Sequence, residues 1–280
     1  MNKYSISILL IALLLLFACK DDNTSINLNP NLEAAKNNTL AEDIVHDIFA
    51  ILHQAGYDSS LHANGSKEIF AATVMYQKSN DSVSIRVFYP SWYVVCPDSL
   101  KRKGQITLHL SGDFGEPGTS GKVSFVNFGV SNIVLSGNLQ FQNTTPNDSI
   151  LQYTLSTGNM SFLLGDSSSS IQWQSEKNIV WYAGSDSPQD FSDDVFRLSG
   201  TSSGTSVGQK PFSSQTTSPL IKSKQCRWIH GGSLDFSTPG MECQQGEIVY
   251  YEGGSCHQQF DMYFEGTRFY EEFIRLYRQN

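Results

Sequence analysis

Two periodicities divide this chain. From Leu40 to Ala55, Leu40, Ile44, Ile48, Ile51, Leu52 and Ala55 recur at spacings of three and four, with Val45 widening the stripe. This is the pattern of an amphipathic helix. Thr39 and Glu42 fit a capping box at its start, and Gly56 a left-handed stop at its end. After Gly56 the period falls to two. Strands are expected over Ile69–Tyr76, Ser82–Tyr89, Gln105–Leu110, Gly121–Phe128, Ile133–Phe141, Ile150–Leu155, Met160–Leu164, Ile171–Gln174 and Ile179–Tyr182. Gly-, Asn-, Asp- and Pro-rich turns separate them, so antiparallel pairing by hairpins is expected. Ser199–Pro219, rich in Gly, Ser and Thr, is expected as an exposed loop. A last group of strands follows: Cys226–Phe236, Gly246–Glu252, His257–Phe264 and Arg268–Leu276.

The start of the chain has a different character. Lys3 precedes an unbroken apolar run from Ile8 to Ala18, the build of a secretory signal. As a helix this run rises about 16 Å, roughly half the hydrocarbon thickness of a bilayer. Its Leu16-Phe17-Ala18-Cys19 ending resembles the bacterial lipoprotein box, which implies cleavage before Cys19 and acylation of that cysteine. Lys20-Asp21-Asp22-Asn23 resembles the acidic export tag of Bacteroidota surface lipoproteins. The resemblance implies an outer-membrane, lipid-anchored protein facing the cell exterior, with the inner leaflet of that membrane as the alternative. The chain then divides into a signal (1–18), a tether (19–38), a helix plus β-meander (39–198), a loop (199–222) and a C-terminal β-unit (223–280) on the same sheet system. The expected fold class is mainly β: an antiparallel meander or sandwich-like sheets with one N-terminal amphipathic helix.

Composition narrows the partners. The formal net charge is −8, one unit more negative without Lys3, and Lys101-Arg102-Lys103 is the main basic cluster. Nucleic acid is a poor partner for such a chain. Only 16% of residues are charged, as in extracellular β-proteins whose sheets are faced with uncharged polar groups.

Cys19 apart, the cysteines are Cys96, Cys226, Cys243 and Cys256. Export favours two disulfides, with three connectivities open. Cys226 and Cys256 begin strands that flank one central strand, and Cys243 lies in the opposite turn. That placement favours Cys226–Cys256 and, by elimination, Cys96–Cys243. The central strand must stop short for the outer two to converge, and Glu252-Gly253-Gly254-Ser255 supplies the break. The spacing lacks a Cys-x-x-Cys pair, so no metal site is expected, nor any cofactor.

Catalytic signatures are also missing: there is no His-Glu-x-x-His, phosphate loop or Gly-x-Ser-x-Gly elbow. Glu271-Glu272 and Asp193-Asp194 are adjacent pairs whose side chains diverge on a strand. Asp186, Asp190, Asp193 and Asp194 form an acidic stretch that suits an ordinary turn better than a calcium loop. His46 and His53 lie on the helix, where histidines are seldom ligands. Among the strand aromatics, Trp92 and Trp181 are the candidates for stacking on a sugar, against a packing role in the sheet. Asp81-Ser82-Val83, Asp98-Ser99-Leu100 and Asp148-Ser149-Ile150 resemble the O-glycosylation acceptor pattern of exported Bacteroidota proteins, which marks Ser82, Ser99 and Ser149.

Longer blocks carry a further resemblance. They are Arg102-x-Gly104-x-Ile106-x-Leu108, Val123-x-Phe125-x-Asn127-Phe128-x-Val130, Gly137-x-Leu139, Cys226-x-x-x-x-Gly231 and Gly246-x-Ile248-x-Tyr250-Tyr251-x-Gly253-Gly254-x-Cys256, with a closing Gly266. Over Ile85–Ile274 the chain resembles a group of uncharacterised Bacteroidota lipoproteins with a long β-meander. It departs from them at His257, where an aspartate is usual, and in adding Cys243. That group implies a fold and an address but no activity. The functional expectation is a lipid-anchored, non-catalytic envelope protein that binds or scaffolds a glycan or another envelope protein. The alternative is a glycan-binding or glycan-processing component of an outer-membrane uptake system.

Overall fold

The computed structural model describes residues 28–146, 150–165, 168–251, 256 and 259–272. Asn29–Tyr57 forms one helix, α1, of 29 residues and about 43 Å. Pro30 sits in its first turn, where the absent N–H and fixed φ favour helix initiation. Residues 29–38 are therefore helix and not tether. Thr39 lies inside α1, and its hydroxyl accepts from the Tyr250 hydroxyl at 3.0 Å. Glu42 pairs with Lys177 instead of folding back on a cap. Nor does the helix stop at Gly56. It runs to Tyr57, and the Asp58 carboxylate then caps a short helix, α2 (Ser59–Asn64), accepting from the Leu61 amide at 2.9 Å.

Gly56 has another reason to be glycine. A methyl at this position would overlap the Phe114 ring, itself buried. At an open helical site Gly→Ala adds up to about 1 kcal/mol of stability. Here Gly56→Ala is expected to remove about 1–3 kcal/mol by overpacking. Equilibrium denaturation decides it: a variant more stable than wild type refutes the close contact.

Among the described residues sixteen strands follow: β1 (Ser66–Ile69), β2 (Ala72–Ser79), β3 (Ser82–Phe88), β4 (Val94–Val95), β5 (Lys101–Leu110), β6 (Ser120–Val130), β7 (Ile133–Asn143), β8 (Gln152–Leu163), β9 (Ser170–Ala183), β10 (Val195–Thr205), β11 (Pro211–Ser218), β12 (Leu220–Ser223), β13 (Gly232–Ser237), β14 (Gln245–Tyr250), β15 (Gln259–Phe264) and β16 (Thr267–Glu272). They form a single antiparallel sheet in nearly sequential order. Two short strands leave the path: β4 pairs with β5, and β12 shares the edge of β10 with β11.

The sheet wraps around α1. Ten consecutive helical residues, Asn37–His46, are all buried, which a helix lying on one sheet face cannot achieve. Polar bonds radiate from the helix to strands all along the sheet. Arg102 of β5 binds Asp47, Lys177 of β9 binds Glu42, Lys222 of β12 binds Asp43, and Tyr250 of β14 binds Thr39. The fold is therefore a one-sheet meander filled by a helix; it is not a sandwich, and α1 is not amphipathic in the usual one-sided sense.

Bulges bend the strands. β5, β6, β7 and β8 each carry a residue at positive φ near mid-strand: Gly104, Asn127, Gly137 and Asn159. The register shifts between neighbouring strands fall at the same places. A row of bulges adds twist and curls a sheet. Asn159 also explains why β8 looks like two strands in the sequence: the bulge shifts the alternation by one residue without ending the strand. β9 is continuous as well. Its inward face runs Ile171, Trp173, Ser175, Lys177, Ile179, Trp181, and two polar members interrupt the apolar pattern.

Residues 199–222, expected as a loop, form the end of β10, then β11 and most of β12. Phe212 and Leu220 are apolar inward positions, but Ser202, Ser214 and Lys222 are polar because the helix opposite carries polar groups. Asn38 Oδ1 accepts from Ser202 Oγ at 2.8 Å and from Trp173 Nε1 at 3.1 Å, and Ser202 bonds Ser214 at 2.7 Å.

Candidate functional site

Several sequence-predicted residues have other duties in the fold. Trp181 is fully buried on the inner face of β9 and donates Nε1–H to Asp194 Oδ1 at 2.9 Å. No ligand arriving from solvent can stack on it. Trp92 is 69% exposed, in the loop before β4. Ser82, the first residue of β3, and Ser99, in the bend before β5, are both exposed. Cys19 and Ser149 lie outside the described residues. The members of the acidic stretch serve separate turns. Asp190 accepts from the Ser192 amide and hydroxyl, Asp193 accepts from Ser187, and Asp194 accepts from Trp181.

Cys226 and Cys256 are disulfide-bonded with Cα atoms 5.2 Å apart. The central strand β14 ends at Tyr250, before the level of the cysteines, as that bond requires. Cys96 and Cys243 remain as separate buried thiols. Cys243 lies at the helix start, where its carbonyl accepts from Asn31. Cys96 sits beside Arg102, which binds Asp47. Sixteen helical residues separate those two levels, about 24 Å, far beyond disulfide reach. Elimination misled here because it assumed that every exported cysteine pairs.

Two concave regions stand out among the described residues. One is a cleft where half-buried Asp47, Ala50 and Gln54 of α1 meet Asp98, Asp194, Phe196, Lys222, Lys224 and Arg227. Its volume of about 100 Å³ holds about three waters. Arg102 lies at its base, bridging Asp47 at 2.7 Å and Asp98 at 2.6 Å. Burial would raise the Asp98 carboxyl, but the Arg102 bonds win and hold it below the ordinary carboxylate range. Lys222 binds Asp43 at 2.7 Å, and Lys224 Nζ sits 3.8 Å from the Phe70 ring centroid. Deeper in, His53 is enclosed by Phe49, Tyr57, Phe114, Tyr153, Trp181 and Phe196, all with ring centroids within 6.0 Å. This burial lowers its pKa to about 3, with Lys224 adding to the effect. Asp194, with Oδ2 3.9 Å from His53 Nδ1, is pushed up to about 7, chiefly by burial. Arg102 and Lys222 are committed to carboxylates, whereas Lys224 bonds Gln54 Oε1 at 3.3 Å and Arg227 the Asp98 carbonyl at 2.9 Å.

The other region is a shallow trough of about 580 Å³ on the outer face of β8–β11, β13 and β14. Gln174, Glu176, Thr201, Ser203, Ser213, Gln215, Asp235, Ser237 and Gln245 form its wall. Their alternation with the inward core residues of the same strands puts all nine on one face. At Thr157 the trough meets a second hollow of about 460 Å³ over the bulges of β7 and β8, lined by Asn138, Gln140, Ser156 and Asn159. The outward side chains of the wall are amides, hydroxyls and carboxylates, Phe236 also contributes to the lining, and no lysine or arginine does. Nothing in the sequence reading singled it out, because Ser, Thr and Gln on alternate positions look like ordinary solvated sheet face.

Comparison with protein families, with curated proteins and with solved structures finds no match for this chain. No helix among the described residues is long and apolar enough to cross a membrane.

Proposed function

We propose that this is a lipid-anchored envelope protein, tethered through Cys19 to the outer membrane and facing the cell exterior, that holds a ligand on its outer trough without catalysis. The observation that carries the binding role is the trough itself: a concave, uncharged-to-acidic face on a sheet whose interior is filled by its own helix. The signal-like segment and the Leu-x-Ala-Cys ending support the anchor. Eight residues, or nine Cα steps, separate Cys19 from Leu28, so the fold would stand within about 30 Å of its lipid at full extension. The hydroxyl and amide lining favours a glycan over a nucleic acid or an acidic partner.

Metabolic labelling with a fatty-acid analogue is expected to mark the wild type and to be lost in Cys19→Ala; equal labelling of both refutes the anchor. Protease treatment of intact cells is expected to degrade the protein, and full protection refutes outward display. Ser82 and Ser99 remain candidates for O-glycosylation. The intact mass is expected to exceed polypeptide plus lipid by a glycan increment.

A further inference from the structure

The outer face of β9, β10, β11, β13 and β14 carries two parallel rows of polar side chains. In the first, Gln174, Ser203, Ser213, Ser237 and Gln245 stand opposite one another from strand to strand. Two residues along, Glu176, Thr201, Gln215, Asp235 and Glu247 do the same. Neighbouring strands lie about 4.8 Å apart and alternate residues about 6.8 Å apart, so each row runs about 19 Å across the strands. We propose that these rows bind an extended neutral polysaccharide lying across the strands, one row meeting each edge of the sugar chain. This inference rests on the trough being the binding face.

The chemistry matches at each level. An extended pyranose chain bears hydroxyls along both edges and advances by roughly one strand spacing per sugar. The first row offers donors and acceptors together. Its end amides are held along the row, Gln174 Nε2 donating to Ser203 Oγ at 3.0 Å and Gln245 Nε2 to Ser237 Oγ at 3.1 Å. Each keeps a second amide hydrogen and a carbonyl for a ligand. In the second row Glu176, Asp235 and Glu247 act only as acceptors, and sugar hydroxyls donate to them in charge-assisted bonds. Neither row contains a lysine or arginine, so an anionic polymer is repelled. A peptide is a poorer fit. Backbone groups of these central strands are committed to their neighbours, which rules out strand addition here. The rows also lack the aromatic and arginine anchors that concentrate protein-binding energy.

The test is affinity electrophoresis of the purified protein through gels containing xylan, mixed-linkage β-glucan, galactomannan or polygalacturonate. At least one neutral polymer is expected to retard the wild type, and polygalacturonate is not. The double variant Gln174→Ala/Gln245→Ala alters only exposed side chains and is expected to weaken binding about tenfold or more. Trp92→Ala is expected to bind as wild type. Failure of all three neutral polymers, an unaffected double variant, or loss of binding in Trp92→Ala overturns the inference. A photo-crosslinker at Ser213 in intact cells separates the two levels. If it traps a macromolecule while no neutral polymer binds, the glycan assignment falls and the trough stands as a binding face. If it traps nothing and no polymer binds, both fall.

Discussion

Replacing Glu42 by alanine is expected to destabilise the protein by about 3–5 kcal/mol, whereas Glu42→Met combined with Lys177→Met is expected to be far less damaging. Glu42 Oε1 and Lys177 Nζ are 2.5 Å apart, and their side chains are 0% and 1% exposed. Each charge is tolerated only because the other is present. Removing the carboxylate leaves an ammonium buried inside the wrapped sheet with no route to water. Removing both charges and filling the space with thioether chains deletes the attraction and both desolvation penalties together. Guanidinium unfolding of the two single variants and the double variant supplies the cycle. A Glu42→Ala variant within 1 kcal/mol of wild type, on the order of an exposed pair, refutes the burial; a double variant no better than either single refutes the compensation.

The second large effect is in pH dependence, and it is hidden in the wild type. His53 has its folded pKa lowered to about 3, so the unfolded chain takes up its proton first. On its own, His53 makes stability fall as the pH drops below about 6.5. Asp194 has its folded pKa raised to about 7, so the folded chain binds that proton first. Its contribution rises as the pH drops from about 7 towards 3.8. Between roughly pH 4 and 6.5 the folded chain carries the pair's proton on Asp194 and the unfolded chain carries it on His53. The two slopes, each about 1.4 kcal/mol per pH unit, cancel.

Asp194→Asn keeps an acceptor for Trp181 and removes the titration. Relative to wild type it is expected to lose about 3 kcal/mol of stability between pH 6.5 and 4.5. His53→Phe is expected to show the opposite trend over the same range. The other shifted groups near the helix, His46 and Asp43, are common to all three proteins and drop out of the differences. Parallel curves for wild type and Asp194→Asn sink the account.

Much of the fold was legible because half-buried strands alternate. Thus β3, β6 and β7 are near their expected spans, whereas the strand expected over Ile69–Tyr76 crosses the turn between β1 and β2. What was lost has one physical source. The sequence pattern equates inward with apolar, and here the strands face a helix with polar groups on several sides. Lys177 and Ser175 broke β9 in two, and Ser202, Ser214 and Gly204 made β10–β11 look like a loop. On the helix, Asn31, Asn37 and Asn38 gave residues 29–38 the composition of a tether. Lys177, Ser202, Asn31, Asn37 and Asn38 each have a partner far away in sequence, which a local window cannot see. The Cys226–Cys256 bond was legible because hairpin geometry and a strand break are both local. The trough was not, because its two rows exist only once five strands are in register.

The enclosure of α1 also sets the order of assembly. The helix is the earliest-made element of the described fold, yet its polar groups find their partners late: Asn38 bonds a residue 135 positions on, and Asn31 bonds one 207 positions on. Contacts at such separation carry a large loop-closure penalty before they are formed, and chains dominated by them fold in milliseconds to seconds. Until β9 and β12 have been synthesised, α1 lacks Lys177 and Lys222, the counter-ions for Glu42 and Asp43. Folding of this protein thus completes late, and truncation before β14 removes Tyr250, which donates to the Thr39 hydroxyl of the helix.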